Sequence, residues 1–170
     1  MKLTNKILIT ALLLTGFAVD TKAQSTATAT ATATIVTPIS ISKTADMSFG
    51  NIAVQTSTGG TVVLAPAGTR TSTSGVTLPA TAGTVTAAGF TVTGSGSYTY
   101  TITLPTTVTL THSGGVETMA AGSFTSNPSG TGTLSSGTQN VAVGSTLTVA
   151  AGQLAGVYTS GNFNVTVNYN

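Results

Sequence analysis

The chain of 170 residues contains no cysteine, no tryptophan and one histidine, and it carries only five basic and three acidic side chains. Each absence removes a class of chemistry. Without cysteine there is no disulfide framework and no thiol to take a lipid at a processed N-terminus. A lone histidine, His112, cannot build a Ser-His-Asp grouping or a metal cluster in a cysteine-free chain, so it is expected at the surface end of a strand. Asp46 and Glu117 fall in polar, turn-like stretches, where carboxylates are solvated rather than paired for glycoside chemistry. With no tryptophan and four tyrosines, little ring surface is on offer to a sugar. Glycine pairs such as Gly59-Gly60 and Gly114-Gly115 have no helix behind them and read as turns, not phosphate cradles. The glycosylation triplet Asn164-Val165-Thr166 lies within an expected strand and is read as coincidence. No enzyme activity, cofactor or metal is expected.

The apparent basicity is also local. The whole chain has a formal net charge of +2 and a pI near 9.2. Yet Lys2 and Lys6, the apolar run 7–16 and Thr21-Lys22-Ala23 together read as a secretory signal over residues 1–23, with a cut after Ala18 as the alternative. The apolar run is too short to remain as a membrane anchor. After it, Lys43 and Arg70 balance Asp46 and Glu117, so neither nucleic acid nor a membrane surface is an expected partner. Lys43 is read as a solvated edge-strand lysine that discourages wrong pairing, in preference to the donor of an isopeptide bond to Asn164 or Asn168.

What the chain does have is threonine, 35 of the 147 residues that follow Ala23. A neutral, hydroxyl-rich surface repels its own copies weakly. Helix signals are scarce, whereas period-two runs of β-branched residues recur between Gly, Pro, Ser and Asn clusters. Strands are predicted over 39–43, 47–54, 61–65, 85–93, 98–104, 108–112, 145–150 and 162–169. Many short strands with turns between them indicate a β-sandwich or barrel. Its core would draw on Phe49, Ile52, Val63, Leu64, Phe90, Val92, Tyr100, Ile102, Leu104, Phe124, Leu147, Val149, Phe163, Val165 and Val167.

Residues 25–36, STATATATATIV, alternate almost without fault. In an extended chain Ala27, Ala29, Ala31, Ala33 and Ile35 share one face and the threonines the other. A low-complexity spacer is the competing reading, but polar linkers do not keep a two-residue period that ends in Ile35 and Val36. Pro38 has a fixed φ and no N–H, so this strand is not expected to fold straight back on 39–43. Twelve extended residues reach roughly 40 Å, enough to cross a small domain and enter a neighbour's open sheet edge. Repeated head to tail, such a contact never closes and makes a fibre. The repeat tolerates slips of two residues, so Ile35 and Val36 are expected to fix the register.

The elements Met47-Ser48-Phe49-Gly50-Asn51-Ile52, 89–94, 98–105, 143–147 and 156–169 resemble a secreted bacterial domain-of-unknown-function family related to fimbrial major subunits, over about residues 27–170. The chain is also similar to pilins of the chaperone–usher kind. Tyr169 takes their penultimate tyrosine position, and Gly156 lies near a glycine they carry, although their common cysteine pair is absent. The resemblance implies an all-β, immunoglobulin-like, pilin-like β-sandwich over 38–170 with an N-terminal extended donor strand over 24–37. It further implies a closing strand containing Phe163, Val165, Val167 and Tyr169. The chain itself would be the partner, as a head-to-tail homopolymer, helped by a periplasmic chaperone and an outer-membrane usher. The expected product is an extracellular filament on the surface of a Gram-negative bacterium that supports adhesion or biofilm. A monomeric carbohydrate- or ice-binding module is the alternative. Irregular spacing of the threonine runs argues against an ice-binding solenoid.

Overall fold

The computed structural model describes residues 23–170. The expected signal segment thus lies outside the described residues except for Ala23. The chain divides into two units, one ending at Thr34 and a folded unit Ile35–Asn170. Of the first unit, residues 23–34 form neither strand nor helix.

The folded unit is all-β, with several antiparallel sheets and no helix. In chain order the strands are β1 Ser40–Ala45, β2 Ser48–Phe49, β3 Ala53–Val54, β4 Gly60–Leu64, β5 Arg70–Ser72, β6 Val76–Thr77, β7 Val85–Thr86 and β8 Ala88–Thr93. They continue as β9 Thr99–Thr103, β10 Thr107–His112, β11 Thr118–Asn127, β12 Thr131–Thr133, β13 Thr138–Val149, β14 Tyr158–Ser160 and β15 Thr166–Tyr169. The main sheet runs β1-β8-β13-β11-β10-β14, and β4 pairs with β13 and with β5. A three-stranded sheet β12-β9-β15 and two short ribbons, β2-β7 and β3-β6, complete the unit.

β13 is the spine. Its first half, Thr138 to Val143, pairs with β8, and its second half, Ser145 to Val149, pairs with β4 along the same edge. β11 takes the opposite edge. Val141, Val143, Leu147 and Val149 are all buried on this strand, as period-two alternation requires. Two cores form along it. One gathers Ala88, Val92, Tyr100, Ile102, Leu134, Val141, Val143, Val165 and Val167. The other gathers Phe49, Val62, Leu64, Val76, Ala121, Leu147 and Val149.

Several sequence expectations change. Val63, expected in the core, faces outward and is 39% exposed, because Val62 and Leu64 take the inward positions of β4 and alternation leaves none for the residue between. The strand expected over 47–54 is broken into β2 and β3 at Gly50, whose φ is +68°. A Cβ there would lie 2.3 Å from the Ala82 carbonyl oxygen, so glycine alone fits this kink. The strand expected over 162–169 shortens to β15, and residues 161–165 pair with no strand. The alternating segment expected as a strand over 24–37 belongs to no sheet, as do Pro38 and Ile39.

Candidate functional site: an open groove over the second core

The polarity of the folded unit follows from strand register. Thr138 of β13 stands opposite Thr93 of β8, which stands opposite Ser40 of β1. Ten residues further along β13, about 33 Å of strand, Thr148 stands opposite Ala120 near the turn that joins β10 to β11. One end therefore holds the exit of the N-terminal segment, and the other holds the 113–117 turn.

At the exit end Tyr169 closes a clasp. Its hydroxyl accepts a hydrogen bond from the Ser95 N–H (2.6 Å) and donates one to the Thr37 carbonyl (2.8 Å). The Tyr98 ring lies against it, with centroids 5.6 Å apart. This fixes Thr37 one residue before Pro38 and just ahead of β1.

Toward the turn end the sandwich is uncovered. A groove of about 1170 Å³ is lined on one side by residues between Lys43 and Val54 and on the other by residues between Gln153 and Phe163. Its floor is Val108 and Leu110 of β10, Met119, Ala121 and Phe124 of β11, and Leu147 and Val149 of β13. Small-molecule pockets run to roughly 300–1,000 Å³, so this space is larger than one small ligand fills. Leu110, Met119 and Phe124 are only half-buried, although they pack against the second core. β1 and β14, the two end strands of the main sheet, line the groove through Lys43, Ala45 and Tyr158–Ser160, each is paired along one edge only, and residues 161–165 after β14 have no strand partner.

Each wall is held by polar contacts that the sequence reading did not assign. Arg70 is the staple of the first wall. Its guanidinium donates to the carbonyls of Phe49, Asn51 (2.8 Å) and Ala82 (3.4 Å), bracing the Gly50 kink from β5. Asn51 adds its N–H to the Ala82 carbonyl at 2.7 Å. In the second wall His112 is the strut. Its Nδ1 accepts the Gly114 N–H at 3.1 Å, so the proton sits on Nε2, which donates to the Ala155 carbonyl at 3.2 Å. The Tyr158 ring meets the imidazole edge-on at 5.0 Å. Gly156 is required beside it, since a Cβ there would come within 2.0 Å of Nε2. Gln153 Nε2 donates to the Thr118 carbonyl (3.3 Å) and to the Tyr158 hydroxyl (3.0 Å), which donates to the Leu154 carbonyl (2.8 Å).

Of the expected closing-strand residues, Val165 and Val167 are buried in the first core and Phe163 and Tyr169 pack against it; Phe163 also lines the groove and lies 5.6 Å from the Phe124 ring. Of the expected donor residues, Ile35 is 98% exposed. Lys43 pairs at 2.6 Å with Asp46, three residues on and at the surface. Among the described residues no three His, Asp or Glu side chains gather as metal ligands.

The family model for a domain of unknown function, DUF4402, matches residues 39–169. The chain belongs to the DUF4402 family. The DUF4402 match begins one residue after Pro38 and ends at Tyr169, so it covers both cores and the whole groove lining and leaves 25–36 outside. No curated protein and no solved structure matches the chain with significance.

Proposed function

We propose that the protein is the structural subunit of an extracellular filament, in which residues 25–36 of one subunit fill the groove of the next. The observation that carries this reading is an apolar groove over the second core lined by β1 and β14, the two singly paired end strands of the main sheet, in a chain that also has an unpaired strand-like segment. An added strand in such a groove gains main-chain hydrogen bonds from a bare edge and places alternate side chains on the apolar floor. Insertion of a 12-residue segment brings on the order of ten such bonds, each worth roughly 0.5–1.5 kcal/mol net. The alanine face suits a floor already occupied by Phe124, Met119 and Leu110.

Polarity makes the contact intermolecular. The clasp on Thr37 holds the exit at one end, and the groove opens toward the other, so self-insertion would need a reversal at Thr37-Pro38 and loss of the Tyr169 contact. In a head-to-tail row the segment enters the neighbour from its turn end. It then runs parallel to β1 and antiparallel to β14. A dedicated chaperone and an outer-membrane usher fit this reading as the agents that cover the groove before assembly, as does export through the signal at residues 1–23. The reading assigns no catalysis, cofactor or metal.

Negative-stain microscopy of the purified surface material, beside a variant lacking residues 24–36, tests it. Filaments are expected from the parent and single particles from the deletion. Filaments in both samples would end the strand-insertion mechanism, and particles in both would end the polymer.

A further inference from the structure

The exposed large apolar side chains of the folded unit are six: Ile35, Val63, Tyr98, Val116, Leu154 and Val157. Three of them share one place. The Ser113 N–H donates to the Val157 carbonyl at 2.9 Å, and His112 reaches the Ala155 carbonyl, so the turn carrying Val116 and the loop carrying Leu154 and Val157 form one lip. Val116 is 89% exposed, Val157 65% and Leu154 51%. Leu154 and Val157 also line the groove, at the end where a neighbour's segment would enter. Ile35 emerges at the opposite end of the unit, two residues before the clasped Thr37.

We propose that this lip seats Ile35 of the preceding subunit and so fixes the register of the inserted segment. The inference rests on the filament reading above and adds to it a specificity determinant. The Ala-Thr repeat offers the groove the same face after every slip of two residues, so its own packing discriminates weakly between registers. Ile35 breaks that degeneracy. It lies on the alanine face, it is the one large side chain there, and it lies at the segment's C-terminal end. That end stays at the groove mouth once the rest has entered. A slip of two residues moves Ile35 by about 6.6 Å, off the lip and either onto the crowded floor or into water. Pro38, which cannot donate to a ladder, marks where the inserted strand must stop.

The absence of native cysteine makes register directly readable by paired cysteine substitutions in the full chain, since a disulfide needs Cα atoms about 4.4–6.8 Å apart. Ile35→Cys with Val157→Cys is expected to give a ladder of covalent oligomers on a non-reducing gel. Ala33→Cys with Val157→Cys is expected to give roughly tenfold less, the discrimination that burial of one isoleucine provides. Adding Ile35→Ala to the Ala33 pair is expected to raise its yield, because the alanine face is then uniform. Both substituted positions at the junction are exposed, so folding is not at stake. Equal ladders from positions 33 and 35 with Ile35 present in the former would overturn the register lock and leave strand insertion standing. No ladder from cysteine at 27, 29, 31, 33 or 35, paired with either Met119→Cys or Val157→Cys, would overturn insertion itself.

Discussion

The two halves of the sandwich are built on one strand and finished differently. Over the first half of β13 the sheet β12-β9-β15 closes the core, and Tyr100 is fully buried with its hydroxyl donating to Gln139 Oε1 at 2.7 Å. Over the second half, β4 and β5 extend the main sheet and the short ribbons form a wall, but no strand covers Leu110, Met119 and Phe124. The same spine and alternation thus serve both a finished core and an unfinished one. What separates them is how many strands the chain places opposite: three over the first core, and none over Leu110, Met119 and Phe124 of the second.

This contrast can be broken most severely from the closed side. Tyr100→Ala is expected to cost about 3–5 kcal/mol, by cavity formation and by leaving Gln139 without its donor, read as a lower urea midpoint. A comparable loss from Met119→Ala in the free domain would erase the distinction, since a half-buried floor residue is expected to cost about 1–2 kcal/mol. The open side can be sharpened by filling it. A synthetic peptide of residues 25–36, added to the domain lacking that segment, is expected to stabilise it by about 2.7 kcal/mol at a hundredfold excess over its dissociation constant. Amide exchange should slow in 119–124, 147–149 and 161–165 and stay unchanged around Tyr100. Uniform slowing would mean the peptide does not select the open half. Smaller still is Tyr169→Phe, which removes two hydrogen bonds and is expected to cost on the order of 1–2 kcal/mol. It should also free Thr37, visible as faster exchange of the Ser95 amide.

The pH response is the mildest effect under ordinary conditions. Burial raises the Tyr100 phenol above its ordinary value of 10.0. The neutral form is favoured in the fold, so the unfolded chain ionises first. This contribution to stability is intact below pH 10.0 and is lost as pH rises through the folded value. An alkaline titration of the melting temperature should therefore fall in that range, and Tyr100→Phe should flatten it.

Much of this architecture is legible in the sequence where strands alternate without interruption. The predicted strands at 98–104 and 108–112 coincide closely with β9 and β10, and Val92, Tyr100, Ile102, Leu147 and Val149 are buried as expected. β11 was not, because its inward positions change parity. Met119 and Ala121 point inward, then a bulge at Gly122 and Ser123 shifts the register so that Phe124 and Ser126 do. The first half of β13 escaped notice behind Gln139 and Asn140. The alternating segment 25–36 is legible as strand-like, but it belongs to no sheet among the described residues. The groove could not be read at all, for it is a property of stretches distant in the chain, from Lys43 to Phe163. Its staple, Arg70, acts on carbonyls up to 21 residues back in the chain, and no local pattern announces that.

Arg70 carries one more consequence. Among the described residues the single ion pair is Lys43–Asp46, so the guanidinium spends its donors on main-chain carbonyls instead of a carboxylate. Ionic strength screens attraction between exposed charges but does little to contacts with neutral dipoles in a half-buried wall. Brine that disperses charge-held polymers should leave the proposed filaments whole. Arg70→Lys would keep the charge yet lose the planar span across three carbonyls, and it is the change that would let the wall slacken.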